Sequence, residues 1–332
     1  MYKPVIQAMK HAVQLCADVQ KKAGFGGEKA PKDPVTVADY GSQAILNRAI
    51  DAHFPQDAIM AEERGQQFLT ILNEEQQTRT LKRLQEILGI DVTKEDVVSW
   101  MDLGRETKAT THWAVDPIDG TRGFVKGLRY CVAVAHIEST QPTWGALACP
   151  EYPSEDGNGF LFVADQEGVY RTSLAETTTE KQPLQLAPAP KLSDARVVLS
   201  RNLQDFPRAL IDQCLDAAGI PESSITYIDG QGKYASVACG DADIFLRFPK
   251  TADFQGHYIW DHAPGVALVR KAGGVISDIT GGEVMFGEGN ILNGNLGVIA
   301  CHPDLHEQVL KITKQVIATS PSLQPLLERF GR

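Results

Sequence analysis

Apolar residues in the first twenty positions recur every three or four residues, as one buried face of a helix requires. They are Val5, Met9, Ala12, Cys16 and Val19. A second helix is predicted in the stretch VTVADYGSQAILNRAIDAHFP, where Asp39 falls in the first turn and Pro55 stops the helix.

The stretch AIMAEERG follows and predicts a short strand that ends at Glu62 and Glu63. Residues 66–112 are more charged, and leucines at 81, 84 and 88 mark a helix that Gly89 can end. We interpret residues 66–112 as an insertion between two parts of one site, and we expect it to form a lid over that site.

From residue 113 the pattern changes to apolar runs typical of consecutive antiparallel strands. These runs are WAV, YCVAVAHIE, WGALACPEY, GFLFVAD and GVYRT. Residues 174–192 are rich in Thr and Pro without a period and are interpreted as a linker. Strands and helices alternate after it, which predicts an α+β domain over residues 1–192 and an α/β domain over residues 193–332.

Composition narrows the class of protein. The 332 residues carry a net charge of -10, which argues against a general nucleic-acid binder. The six cysteines form no CxxC pair, so neither a zinc knuckle nor a disulfide scaffold is indicated. The sequence also shows no apolar run of membrane-spanning length and no signal peptide. We therefore expect a cytoplasmic protein without a membrane partner.

Two carboxylates end an apolar strand in VDPIDGT. Pro117 interrupts the ladder, and a turn there can bring Asp116, Asp119 and the Ile118 carbonyl to one side. Three hard oxygen atoms suit Mg²⁺. Gly120 and Thr121 then open a helix whose free amides can bind a phosphate. Alternatively, Asp116 is only a helix cap and Asp119 only a turn residue.

Other acids also lie at the ends of elements. Glu62 ends a strand, Asp261 in WDH begins a helix, and Asp39 lies in the first turn of another helix. Each alone is more often a cap or a solvated charge. Four acidic clusters with apolar flanks together favour a metal-assisted phosphoryl-transfer site.

The motifs that carry these acids resemble those of the inositol monophosphatase superfamily, a group of Mg²⁺-dependent, lithium-sensitive phosphatases. They are VTVAD, AEE, WAVDPIDGTRGF and WDHAPGVALVRKAGG. The resemblance implies an α+β fold, the layered α-β-α-β-α sandwich shared with fructose-bisphosphatases, with the site between the domains. It also implies that the first domain carries most metal ligands and that the second carries Asp261 and the nucleotide-side residues.

Roles are implied residue by residue, with two to three Mg²⁺ ions as cofactor. Glu62, Asp116 and the Ile118 carbonyl would hold one ion. Asp116, Asp119 and Asp261 would hold the second, and Glu62 would serve a weaker third through water. Asp39 and the Thr121 hydroxyl would activate the attacking water.

Within the superfamily, DGTRGF, DGQGKYASVACGDADIFLRFP and IWDH resemble the plant and fungal 3'(2'),5'-bisphosphate nucleotidases. The resemblance implies a monomeric enzyme that removes the 3'-phosphate of adenosine 3',5'-bisphosphate, and also that of 3'-phosphoadenosine 5'-phosphosulfate. Substrate contacts are expected from Gly120, Thr121, Ser200, Lys233, Arg247 and Asp261. Gly230 replaces a serine that is common in those relatives, which removes one expected contact to the 5'-phosphate.

Two alternatives remain open at this point. One is another superfamily member, an inositol polyphosphate 1-phosphatase or an inositol monophosphatase. The other is a non-catalytic nucleotide or metal sensor that has kept the fold. Substrate profiling separates the first alternative, and tight binding without phosphate release would indicate the second.

Overall fold

The computed structural model describes residues 1–20, 26–30, 33–104, 109–175, 180–201, 205–251, 253–287, 289–292 and 294–331. Eleven α-helices are found in these residues: α1 (Lys3–Gln20), α2 (Val37–His53), α3 (Gly65–Ile71), α4 (Glu74–Leu88), α5 (Lys94–Asp102), α6 (Thr121–Phe124), α7 (Asp205–Ala218), α8 (Gly232–Ala238), α9 (Ala263–Lys271), α10 (Pro303–Thr319) and α11 (Gln324–Arg329). Both N-terminal helices are confirmed, and the apolar stripe of α1 is buried as predicted.

Seven strands form the first sheet, in the order β3-β4-β5-β6-β7-β8-β9. They are β3 (Ala58–Ala61), β4 (Thr111–Asp119), β5 (Cys131–Glu138), β6 (Gln141–Cys149), β7 (Phe160–Ala164), β8 (Val169–Ser173) and β9 (Gln182–Pro183). β3 is parallel to β4, and every later neighbour is antiparallel. The predicted run of antiparallel strands from residue 113 is therefore confirmed. A separate hairpin joins β1 (Gly26–Ala30) to β2 (Asp33–Thr36).

The second sheet has five strands in the order β11-β10-β12-β14-β13. They are β10 (Val197–Leu199), β11 (Ile225–Tyr227), β12 (Ile244–Arg247), β13 (Val275–Ser277) and β14 (Val298–Cys301). β10 pairs in parallel with both β11 and β12, as helical crossovers require. β14 is antiparallel to its two neighbours, so the sheet is mixed.

Helices separate the two sheets and cover their outer faces. α1 and α2 pack on the outer face of the first sheet, and α9 packs on its inner strands. α8 lies beside α9 and contacts β12, while α7 and α10 cover the second sheet from outside. A central apolar cluster contains residues from both sheets and from α8 and α9. The result is the predicted α-β-α-β-α layering.

The insertion at residues 66–112 is largely helical. α4 ends at Gly89, whose φ of 67° is the left-handed conformation that glycine tolerates best, as predicted. α4 and α5 pack on α2, where their apolar faces are buried. None of the described residues 66–104 and 109–112 lines the cleft that contains the acidic residues, so the expectation of a lid is wrong for this part of the insertion. Residues 105–108 lie outside the described residues.

All six cysteines are free thiols, and five of them are buried. No helix within the described ranges is both long enough and apolar enough to cross a membrane.

Candidate active site

Asp116 and Asp119 both belong to β4, which continues through Pro117 instead of turning there. Asp116 pairs with Ala133 and Asp119 with Cys131, so one extra residue is accommodated in between as a β-bulge. The bulge leaves Pro117 outside the ladder, which is how a central strand tolerates it. It also changes the direction of the carboxylates, and the Ile118 amide donates to Asp116 Oδ1 at 3.1 Å.

Asp39 is the third residue of α2 and completes a capping box with Thr36. The Thr36 amide and hydroxyl donate to Asp39 Oδ2 at 2.7 and 2.8 Å. Its other oxygen, Oδ1, lies 3.4 Å from the Thr121 hydroxyl, which also lies 2.9 Å from the Ile118 carbonyl. Asp39 is 1% exposed, so its carboxylate is oriented by the protein residues Thr36 and Thr121 and hardly contacts solvent.

Thr121 begins α6, which is a single turn of four residues. The sequence predicted a helix here, but residues 125–130 form turns and coil. A helix this short contributes little macrodipole, so any anion affinity must come from individual amides. Gly120 precedes it with a φ of 97°, which permits the tight turn out of β4.

Asp261 lies two residues before α9 and faces Arg247 at the end of β12. The Arg247 guanidinium donates to Asp261 Oδ2 at 3.0 Å, and both side chains are about one-fifth exposed. The sequence analysis placed both residues in one site, with Asp261 as a ligand of the metal and a substrate contact and Arg247 as a substrate contact. The ion pair between them is an additional finding.

Lys233 is buried in the first turn of α8, in contrast to the usual exposure of lysine. Its ammonium group donates to the carbonyls of Ile228, at 3.2 Å, and Gly230. Burial lowers the pKa of Lys233, while the nearby Asp119 carboxylate acts in the opposite direction. Lys233 is therefore held by backbone carbonyls and faces acidic residues.

One cleft of about 290 Å³ brings the predicted residues together. It is lined by Glu62, Asp116, Ile118, Asp119, Gly120, Thr121, Arg122, Gly123, Ser200, Pro207, Asp229, Gly230, Lys233, Phe245, Leu246, Arg247, Phe248, Lys250 and Asp261. Of the predicted site residues, only Asp39 does not line the cleft, and it adjoins it through Thr121.

Two carboxylates of the cleft, Asp116 and Asp119, resist ionisation. Burial raises the pKa of Asp116 well above its usual range, and the neighbouring Glu62 and Asp119 carboxylates add to the rise. Burial and the Asp261 charge raise the pKa of Asp119 to about 6, although Lys233 and Arg247 partly offset them. Carboxylates in such a cluster gain most from a bound cation.

The donor set fits a hard divalent cation in its chemistry. It consists of carboxylates and one backbone carbonyl, the ligands that Mg²⁺ prefers. Among the described residues, no group of three His, Cys, Asp or Glu side chains is arranged to hold a metal ion. One member of the donor set, Asp261, is paired with Arg247.

Sequence reasoning missed two cations of the cleft, Arg122 and Lys250. Both are exposed, and in the part of the chain that the structure describes neither forms an ion pair with a carboxylate. Arg122 lies inside the DGTRG motif and could have been found there. Lys250 follows β12 by three residues, and no periodicity marks it.

His262 does not contribute to the cleft. It is fully buried, and burial together with nearby cations lowers its pKa well below the usual range. Its Nδ1 shares a hydrogen bond of 2.5 Å with the Tyr234 hydroxyl. His262 therefore packs in the interior.

Comparison with known proteins identifies sequence relatives over nearly the whole chain. Residues 1–318 match the model of the inositol monophosphatase family. A 3'(2'),5'-bisphosphate nucleotidase of Schizosaccharomyces pombe is 32% identical over 329 residues, covering 93% of this chain and 92% of that protein. A nucleotidase of the same name from Oryza sativa is 31% identical over 339 residues, covering 94% of this chain and 92% of that protein.

Solved structures confirm the fold. The extragenic suppressor protein suhB of Bartonella henselae superposes with a TM-score of 0.64 at 19% identity, covering 94% of this chain and 97% of that one. The IMPase of Thermotoga maritima gives 0.62 at 18% identity, covering 94% and 96%. At these identities the similarity establishes the layered α+β architecture alone.

Proposed function

Because the chain belongs to the inositol monophosphatase family, we propose that it is a Mg²⁺-dependent 3'(2'),5'-bisphosphate nucleotidase. It removes the 3'-phosphate of adenosine 3',5'-bisphosphate by attack of water. The observation that carries the proposal is that one cleft is lined both by four carboxylates, Glu62, Asp116, Asp119 and Asp261, and by the cations Lys233 and Arg247. A bisphosphate has one phosphate for the metals that the carboxylates would bind and a second for the cations.

The carboxylates of the cleft would hold two Mg²⁺ ions. Glu62, Asp116 and the Ile118 carbonyl would hold the first, and Asp116, Asp119 and Asp261 the second. Glu62 would also serve a weaker third ion through water. When bound, Mg²⁺ lowers the pKa of bound water and neutralises charge on the phosphate under attack.

Thr121 and Asp39 orient the attacking water and accept its proton. The Asp39 carboxylate is fixed by Thr36, which leaves Oδ1 directed at the Thr121 hydroxyl. A hydroxyl that donates to this carboxylate presents its own lone pair to a neighbouring water. The amides of Gly120 and Thr121 would stabilise the charge that builds on the phosphate.

Lys233 and Arg247 bind the 5'-phosphate. Arg247 already neutralises Asp261 in the free protein. A metal at Asp261 would free the guanidinium for a phosphate, for which its forked donors are suited. Ser200 lines the same cleft just after β10 and would border the nucleoside.

Arg122 and Lys250 support the use of the phosphosulfate as a second substrate. Their ion-pair capacity is unused in the described residues, and both face the cleft that holds Arg247. A phosphosulfate has a second anionic group, the sulfuryl, beyond its 5'-phosphoryl group, and these two cations are available to bind it. We also propose a cytoplasmic location, in which six free thiols stay reduced. The monomeric state stays a prediction.

The test compares kcat/KM for adenosine 3',5'-bisphosphate, adenosine 3'-monophosphate and inositol 1-phosphate. We expect the bisphosphate to exceed both others by about 100-fold, since charge-assisted bonds to one phosphate contribute about 3 kcal/mol. Lys233→Met should remove most of that preference, because the bisphosphate rate should fall far more than the 3'-monophosphate rate. Lys126→Met, which changes an exposed lysine outside the cleft, is the control.

A preference for inositol 1-phosphate would overturn the proposed substrate and leave the metal chemistry in place. Tight nucleotide binding without phosphate release, under saturating Mg²⁺, would overturn the enzymatic function itself.

A further inference from the structure

The residues before and after Asp261 form hydrogen bonds to two side chains of one short segment, Gln231 and Tyr234. The side chain of Gln231 donates from Nε2 to the Trp260 carbonyl at 2.8 Å and accepts at Oε1 from the Gly265 amide at 3.1 Å. Gln231 is 2% exposed, so these bonds replace water on a buried amide. The residue before Asp261 and the first turn of α9 are thus bound to a single side chain.

Tyr234 holds the chain on the other side of Asp261. Its hydroxyl bonds to His262 Nδ1 at 2.5 Å, and its ring packs edge-on against Phe245 at 4.9 Å. The fit to α9 is close, because a Cβ at Gly265 would lie 2.3 Å from ring atoms of Tyr234. Tyr234 is 1% exposed, and the bond is shielded from water.

The same segment touches the end of β4, where Asp119 lies. Gly230 has a φ of 65°, and a Cβ there would lie 2.6 Å from the Asp119 carbonyl oxygen. Gly120 also approaches it, since its own Cβ would lie 3.1 Å from the Gly230 nitrogen. Residues 229–234, here named the bridge segment, therefore contact Asp119 on one side and the neighbours of Asp261 on the other.

We propose that Gln231 and Tyr234 are positioning residues that fix Asp261 at the separation from Asp119 needed for one Mg²⁺ between them. Two carboxylates that repel each other need such a restraint before a cation arrives, in addition to the ion pair of Asp261 with Arg247. Groups that orient a metal ligand typically change metal affinity 10-fold to 100-fold when they are removed. The inference rests on the proposed role of Asp261 as a metal ligand.

The test measures Mg²⁺ binding by calorimetry without substrate, using Tyr234→Phe and Gln231→Met. Tyr234→Phe keeps the ring and removes only the hydroxyl, so it serves if Gln231→Met fails to fold. We expect about 10-fold weaker Mg²⁺ affinity in each variant. The Mg²⁺ concentration for half-maximal activity should rise by the same factor, while kcat at saturating Mg²⁺ returns to near the wild-type value.

Tyr152→Phe is the matched control. Tyr152 is also buried, at 6% exposure, and its hydroxyl bonds to Ser236 at 3.3 Å and to Asp241 at 2.5 Å, at the far end of α8. The same chemical change there should leave Mg²⁺ affinity unaltered. Equal weakening in Tyr152→Phe would overturn the inference in favour of a general loss of α8 stability.

Asp261→Asn separates the inference from the proposed function. If only Asp261→Asn weakens Mg²⁺ binding, Asp261 is a ligand and the positioning role of the bridge segment is refuted. If Asp261→Asn binds Mg²⁺ like the wild type, the metal role of Asp261 fails, and the inference fails with it.

Discussion

Replacing Asp119 by asparagine should stabilise the metal-free protein at neutral pH. The pKa of Asp119 rises from 3.8 to about 6 in the folded protein, because burial and the charge of Asp261 disfavour its ionised form. No hydrogen bond to its carboxylate is found in the described parts of the chain. The substitution by asparagine therefore removes an unfavourable buried charge without breaking a hydrogen bond.

The magnitude follows from linkage. A rise of about two pKa units corresponds to about 3 kcal/mol, at 1.36 kcal/mol per unit. Part of the side chain reaches water, so we take about 2 kcal/mol as the expected gain at pH 7.5. The pKa of Asp119 is higher in the folded protein than in the unfolded chain. The wild type therefore loses stability as the pH rises from about 4 to 6, and its free energy of unfolding stays at the lower value above pH 6. At pH 5 the gain of the variant should be about half as large.

The assay is thermal melting of both proteins in EDTA at pH 5 and pH 7.5, and again with saturating Mg²⁺. The variant should melt roughly 4 °C higher than the wild type in EDTA at pH 7.5. Mg²⁺ should reverse the order, because only the wild type keeps the full ligand set. A variant that melts lower in EDTA, or a gap that is the same at both pH values, would refute this reasoning.

Three further predictions concern single side chains. Thr121→Val should lower kcat about 100-fold with little change in Mg²⁺ affinity, whereas Thr121→Ser keeps most of the rate; equal rates in all three would exclude the hydroxyl from catalysis. Gly230→Ser should destabilise the protein by about 2 kcal/mol in thermal melting and lower activity, because its Cβ would lie 2.6 Å from a backbone carbonyl oxygen. Gly157→Ser, at a φ of 70° with nothing within 4 Å, is the control that has the strain without the clash. Asp243→Ala should cost about 2 kcal/mol of stability at unchanged KM, because it removes three bonds from Arg196 at 2.7 to 2.9 Å; a changed KM would argue against a purely structural role.

Local patterns were enough to predict the elements that carry the acidic residues. The place of Asp39 in the first turn of α2 follows from the helical pattern after it, and the end of β3 before Glu62 follows from a short apolar run. The strands after residue 113 are short apolar runs separated by turn residues, which is typical of a meander. These features depend on neighbours in sequence, which is why a single chain reveals them.

The interactions between distant residues could not be predicted in this way. The pair of Arg247 with Asp261 and the burial of Lys233 depend on how two sheets meet around α8 and α9. Pro117 illustrates the limit, since its ring excludes a ladder bond but cannot decide between a turn and a bulge. The antiparallel direction of β14 likewise depends on the long connection after β13, whose sequence shows no hydrophobic periodicity.

The central claim is that one cleft removes the 3'-phosphate while it holds the 5'-phosphate. Phosphorus NMR of the protein with adenosine 3',5'-bisphosphate and Mg²⁺ tests it directly, because the two possible monophosphate products have different shifts. We predict adenosine 5'-monophosphate and inorganic phosphate in equal amounts, with no turnover in EDTA. Formation of adenosine 3'-monophosphate, or an unchanged substrate spectrum with Mg²⁺ present, would contradict the account.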